Sequence, residues 1–180
     1  MPRFNLRTTL GLMLAAGVVL APACKPKKTV NLKMTDESGE TLWSVVNAAD
    51  PKASSQLVKG FYDVEGNSWR WTMGKFSVLL RSPVGSRQNG ARLVLAYAVP
   101  DPVIEKLKSV TLSARIGAIQ LAPETVSTPG ERQYACDVPA SAFADDSVTV
   151  EFSLDKWLPP GTVDRRELGV IVTSIGLEGK

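Results

Sequence analysis

From Ser109 to Ile116 the chain alternates without a break. Val110, Leu112, Ala114 and Ile116 fall on one side, and Ser109, Thr111, Ser113 and Arg115 on the other. A period of two is that of a strand with one face buried and one in water. Ser147 to Asp155 repeats it, with Val148, Val150, Phe152 and Leu154 opposed by Thr149, Glu151, Ser153 and Asp155. Ala91 to Ala98 sets Leu93, Leu95 and Tyr97 together, and Arg132 to Val138 does the same for Tyr134, Cys136 and Val138. Lys75 to Arg81 is apolar on both faces, which predicts a central strand, and Glu167 to Leu177 is apolar nearly throughout. Leu42 to Asn47 is short, β-branched and aromatic and is closed by Pro51, so it is read as a strand despite a helical spacing of Leu42, Val45, Val46 and Ala49.

Turn formers punctuate these runs: Ser82-Pro83 and Gly85, Asn89-Gly90, Pro100-Asp101-Pro102, Pro129-Gly130, Pro139 and Pro159-Pro160-Gly161. Only Pro102 to Leu107 predicts a helical turn. Short strands at this spacing predict an all-β fold, a single antiparallel β-sandwich over residues 41–180.

The first residues follow a different pattern. Arg3 and Arg7 precede the apolar run Leu10 to Leu20, which ends in Ala21-Pro22-Ala23-Cys24. A basic start, a short apolar run and small residues before a cleavage point define an export signal, here residues 1–23. The run is shorter than the ~20 residues a membrane-spanning helix needs. Two cleavage readings meet at this point. Ala21-Pro22-Ala23 fits ordinary secretion, which leaves a secreted or periplasmic protein. Leu20 to Cys24 is similar to a bacterial lipobox, although its Leu stands one position farther from the cysteine than that pattern prefers. We favour lipidation of Cys24, which predicts attachment to the membrane of the cell envelope. Residues 24–40 then form the lipidated end and a polar tether, with one modest alternation at Val30, Leu32 and Met34 that predicts a short edge strand. With Cys24 consumed, Cys136 is a small buried residue; without lipidation, a Cys24–Cys136 bridge is open.

Removing Arg3 and Arg7 from the 21 basic residues leaves 19 against 18 acids, so the exported chain is close to neutral. That balance predicts no nucleic-acid partner. The chain has no histidine, which excludes imidazole-activated serine and cysteine nucleophiles and the usual imidazole-containing zinc sites. No cofactor is indicated. Asp63, Asp145, Asp146 and Asp155 lack the spacing of a calcium loop, and no glycine segment fits a phosphate loop. A hydrolase built on paired carboxylates, Glu65 with Asp164, stays open as the weakest reading.

Gly60 to Leu80 concentrates the remaining chemistry: Phe61, Tyr62, Trp69, Trp71 and Phe76, with Asp63, Glu65 and Arg70 among them. Strand alternation puts Trp69 and Trp71 on one face and Arg70 on the other. Arg70 and Arg166 are planar donors suited to carboxylates such as Glu65 and Asp164, which predicts an ion-pair clasp between this stretch and the last strand. Gly60-Phe61-Tyr62, Glu65 and Arg70-Trp71, with Asp164-Arg165-Arg166-Glu167-Leu168-Gly169-Val170 much later, resemble a bacterial jelly-roll domain. That domain often accompanies glycosyltransferases or membrane proteins of polysaccharide assembly, and has the shape of a carbohydrate-binding module. The resemblance covers roughly Val45 to Glu178, and it implies a jelly-roll sandwich; the lack of histidine and of a compact catalytic motif is what ranks catalysis last.

Three functions follow from these residues. An envelope module that binds polysaccharide requires an exposed aromatic with polar neighbours, for which Trp157, Asp155 and Lys156 are the candidates. An envelope lipoprotein that binds another protein requires an apolar patch instead. A hydrolase requires converging carboxylates. The glycan-binding module is the expectation we carry forward, with the protein-binding lipoprotein as its alternative.

Overall fold

The alternating runs of the sequence become strands in the computed structural model, which describes residues 41–161 and 164–180. The strands are β1 (Val45–Asn47), β2 (Lys59–Glu65), β3 (Trp69–Arg81), β4 (Ala91–Val99), β5 (Val110–Ile116), β6 (Ile119–Gln120), β7 (Glu124–Val126), β8 (Gly130–Val138), β9 (Ser147–Leu154) and β10 (Ile171–Gly179). Two short helices, α1 (Ser86–Asn89) and α2 (Asp101–Leu107), and 3-10 turns at Pro51–Gln56 and Ala140–Ala142 complete the described secondary structure. Pro51 opens the first of these turns, where its missing N–H costs nothing.

All named strand pairs are antiparallel, and their path runs β6-β5-β9-β3-β10-β4-β8, with β1 on β10, β2 on β3 and β7 on β5. β3 is the middle strand of this path and serves both halves of it. Arg70 and Trp71 pair with Val172 and Ile171 of β10, whereas Lys75 to Arg81 pair with Ser153 to Ser147 of β9. The sheet curls about this strand into a half-barrel, giving an all-β, jelly-roll-like sandwich. One layer holds β1, β10, β4 and β8, and the other holds β9, β5, β6 and β7.

The inward positions of both layers meet in one core. Phe76, Val78 and Leu80 of β3 join Leu93, Leu95 and Tyr97 of β4, Leu112 and Ala114 of β5, Phe152 of β9 and Ile175 of β10. The rings of Phe76 and Phe152 stack at 4.8 Å, and Phe61 meets Phe76 edge-on at 5.4 Å. Each large side chain so buried contributes about 1.5–3 kcal/mol before entropy is counted.

Most boundaries agree with the hydrophobic pattern, and the departures have local causes. The expected strand at Leu42 to Asn47 shortens to β1, because Trp43 turns its backbone to Gln56 and Arg81. The last strand starts at Ile171 and runs to Gly179. Glu167 to Val170 are instead pinned singly, Leu168 by an isolated bridge to Leu158 and Gly169 through its N–H to the Thr72 carbonyl. The helical turn expected at Pro102 to Leu107 is α2. The leader, Cys24 and the tether with Val30, Leu32 and Met34 lie outside the described residues.

The largest polar side chain sealed inside is that of Gln56. Gln56, 1% exposed, donates through Nε2 to the carbonyls of Trp43 and Leu79 and accepts the Trp43 N–H at Oε1. It closes the edge of β3 where no strand runs. Gln56→Leu keeps the volume but strands three backbone groups, and unfolding in urea should show a loss of roughly 2–3 kcal/mol. An unchanged midpoint would mean that water replaces the amide.

Candidate functional site

At the end of the sandwich where β2 turns into β3, the register of β2 slips between Phe61 and Val64. The slip places Tyr62 beside the returning loop before β10. The Arg166 guanidinium lies over the Tyr62 ring with its Cζ 5.1 Å from the centroid. Its Nη1 donates to Glu65 Oε1 at 2.6 Å and its Nη2 to Asp164 Oδ2 at 2.8 Å. Asp164 Oδ1 also accepts the Arg166 backbone N–H at 2.9 Å, so the acid is held by both ends of one residue. The three side chains are each about one-third exposed: 35% for Arg166, 36% for Glu65 and 33% for Asp164. The hydrogen bonds from Arg166 hold the Asp164 carboxyl below its usual range, and those from Asp164 and Glu65 hold the guanidinium above its own.

Arg70 stands apart from this cluster, which corrects the expected clasp. Its Nε donates to the Ala48 carbonyl at 2.6 Å, its Nη1 to the Tyr62 carbonyl at 2.8 Å and its Nη2 to Ser54 Oγ at 3.2 Å. Among the described residues it meets no carboxylate. The reason is the pleat. Glu65 is opposite Trp69, on the outward face, whereas Arg70 shares the inward face with Thr72 and Gly74. Arg166 reaches Glu65 because it arrives on a loop and is free of that alternation.

The loop after β9 brings Trp157 back onto β3. A Cβ on Gly74 would lie 2.3 Å from the indole Cε3, so the ring sits directly on the glycine backbone. Glu167 Oε1 accepts the Gly74 N–H at 2.6 Å beside it. Trp157 is half-buried, with part of one ring face given to this contact. Asp155 and Lys156 are exposed, but both are engaged at the start of β5. Asp155 Oδ1 accepts the Thr111 N–H at 2.6 Å, and Lys156 Nζ donates to Ser109 Oγ at 3.2 Å and to the Leu107 carbonyl at 3.4 Å.

Trp43, Trp69 and Trp71 are half-buried too. Trp69 and Trp71 meet edge to face at 6.4 Å on the outward side of β3, and the next outward residue, Met73, is 37% exposed. Farther along the same side is a recess of about 420 Å³ that the sequence did not single out, lined by Lys59, Lys75, Ser77, Arg115, Glu151 and Ser153. Its residues, Gln120 among them, come from five strands and share no motif, so only the pairing register could have revealed it. Cys136 is half-buried between Tyr134 and Val138, and burial pushes its thiol up, which makes it a poor nucleophile. No group of three or more acidic, histidine or cysteine side chains is placed to hold a metal among the described residues.

No family model matches the chain, and no curated protein matches it. A solved structure described as "CBM4 structure and function" is similar in part. It is 9% identical, has a TM-score of 0.34, and the match covers 76% of this chain and 85% of that one. The fold of the described residues stands on its own strand pairing, an all-β, jelly-roll-like sandwich.

The lowered Asp164 gives the cluster a pH signature. A carboxyl depressed by folding stabilises the native state above its unfolded value and loses that contribution as pH falls through the folded one. The gap in melting temperature between the protein and Asp164→Asn should therefore be full at neutral pH. It should close as pH falls below the ordinary 3.8 of the carboxyl. A gap that stays constant down to pH 2 would assign it to packing.

Proposed function

We propose that the protein is an exported, lipid-anchored binding module of the bacterial envelope, without a catalytic site, whose ligand is a glycan. One observation carries this reading: half-exposed aromatic rings and fixed planar charged groups gather where β2, β3 and the β9–β10 loop meet. Tyr62 lies under Arg166, which is held in turn by Glu65 and Asp164. Trp157 sits at Gly74, two residues beyond Thr72, whose backbone bonds Gly169 and Val170. Sugar rings pair an apolar face with a rim of hydroxyls, and this combination of groups serves both. Trp157 offers the platform, and Asp155 and Lys156 the nearest exposed polar groups.

The line Trp69, Trp71 and Met73 favours a second reading, in which an envelope protein docks on the outward side of β3 and no sugar is bound. Anchoring rests on Cys24, and ordinary signal-peptidase cleavage would leave a soluble periplasmic or secreted protein in its place.

Cys24→Ser should move the protein from the membrane fraction to the soluble one; the same fractionation for both would end the lipoprotein reading. Open-surface stacking is weak, with Kd near millimolar, about −4 kcal/mol. Affinity electrophoresis of the soluble variant through gels holding neutral and acidic polysaccharides should therefore show modest retardation, abolished by Trp157→Ala. Retardation in no gel would favour the protein partner.

A further inference from the structure

The outward side of the β9 layer forms one continuous polar surface. Antiparallel partners point to the same side of a sheet, so the register itself lays out the rows. One row crosses five strands in the order Lys59, Ser77, Glu151, Arg115 and Gln120. The next contains Lys75, Ser153 and Ser113. All of these residues except Ser113 line the recess of about 420 Å³.

Charge is distributed unevenly along them. Arg115 Nη2 meets Glu151 Oε2 at 2.5 Å, so that pair is neutral as a unit. Lys59 and Lys75 are exposed, and neither meets a carboxylate among the described residues. They occupy diagonal positions, roughly 7 Å apart at Cβ. The recess therefore has a doubly cationic end, a nearly buried Ser77 hydroxyl with the half-buried Ser153 near it, and a planar ion pair whose Glu151 is one strand from Lys75 and whose Arg115 is three strand spacings, roughly 14 Å, from Lys59.

Resting on the glycan reading above, we infer that this surface binds an acidic polysaccharide, with Lys59 and Lys75 taking a sugar carboxylate and Ser77, Ser153 and the Glu151–Arg115 pair taking hydroxyls. The chemistry selects this occupant. Nucleic acid draws its affinity from many phosphate contacts and from stacking, and the rows provide two free cations and no exposed aromatic ring. A single small anion needs the lysines alone and leaves the rest of the five-strand row unused. A chain of sugars carries both a repeated carboxylate and a repeated set of hydroxyls, and an extended chain suits a row about 19 Å long.

Retention of the protein, purified in detergent, on beads carrying polygalacturonate tests the inference. Fully methyl-esterified polygalacturonate and polyglutamate on parallel beads keep the sugar backbone without the charge, and the charge without the sugar. Retention should occur on polygalacturonate alone and weaken as salt is added. Lys59→Gln combined with Lys75→Gln should reduce it about five- to tenfold, as expected for two exposed ion pairs. The melting temperature should not change, because both side chains are exposed. Equal retention on the esterified polymer would overturn the inference while leaving a glycan-binding module. Equal retention on polyglutamate would reduce the effect to charge and overturn it as well. No retention on polygalacturonate, or retention unchanged in the double variant, would exclude this surface; the glycan reading itself is judged by the Trp157→Ala electrophoresis.

Discussion

Thirteen residues of β3 serve two layers, and the change of partner near Gly74 is the constraint on which the rest depends. Up to Thr72 the strand bonds to Gly169, Val170 and the start of β10; from Lys75 it bonds to β9. Between them the Gly74 N–H faces the gap where one neighbour ends and the other begins. A buried donor left there would cost about 1–3 kcal/mol, and the Glu167 carboxylate supplies its acceptor. Trp157 covers the same point so closely that only glycine fits beneath it. The loop from β9 to β10 must therefore return to this place, and in returning it brings Asp164 and Arg166 over Tyr62 and Glu65. The site is a consequence of how the sheet curls.

The charged groups divide by what they hold. Arg70 and Gln56 bind carbonyls from separate segments, and hydrogen bonds to a charged or buried donor contribute about 1–3 kcal/mol each. The Glu65–Arg166–Asp164 cluster is about one-third open to water, where isolated pairs are worth under ~1 kcal/mol. Fastening is thus the work of side-chain donors on backbone carbonyls, one a guanidinium and one a buried amide, and the exposed cluster fixes geometry more than it adds stability. Two guanidinium groups that look equivalent in the sequence have different roles, because one leaves a strand inward and the other leaves a loop.

Much of the sandwich was legible in the chain because period-two alternation records one buried face, as in Val110 to Ile116 and Ser147 to Leu154. What the sequence hid has a common cause. β2 is broken by a register slip, so its inward and outward residues do not alternate cleanly. β6 and β7 are two and three residues long, too short for a period. Gln56 looks like any polar turn residue, and its burial follows only from the missing neighbour of β3. Glu65, Asp164 and Arg166 were visible as a group because planar charges and aromatic residues are rare neighbours. Arg70 departs from the expected clasp because Glu65 pairs with Trp69 and so shares the tryptophans' face, which the slip in β2 concealed.

The outward side of β3 joins the two candidate surfaces. Its residues in order are Trp69, Trp71, Met73, Lys75 and Ser77, since alternate positions share a face. Trp69 stands opposite Glu65 of the Arg166 cluster, and Lys75 and Ser77 line the recess. From Trp71 to Lys75 is about 13 Å along the strand. The inward positions of the same strand are fixed by packing, so only this side was free to take up a function. It changes from aromatic to cationic to hydroxyl along one line. A compact ligand would meet one of these chemistries, whereas an extended polymer crossing β3 on the row of the recess can continue from Lys75 along the strand to the aromatic end. That gradient is the strongest physical reason to look for a linear ligand.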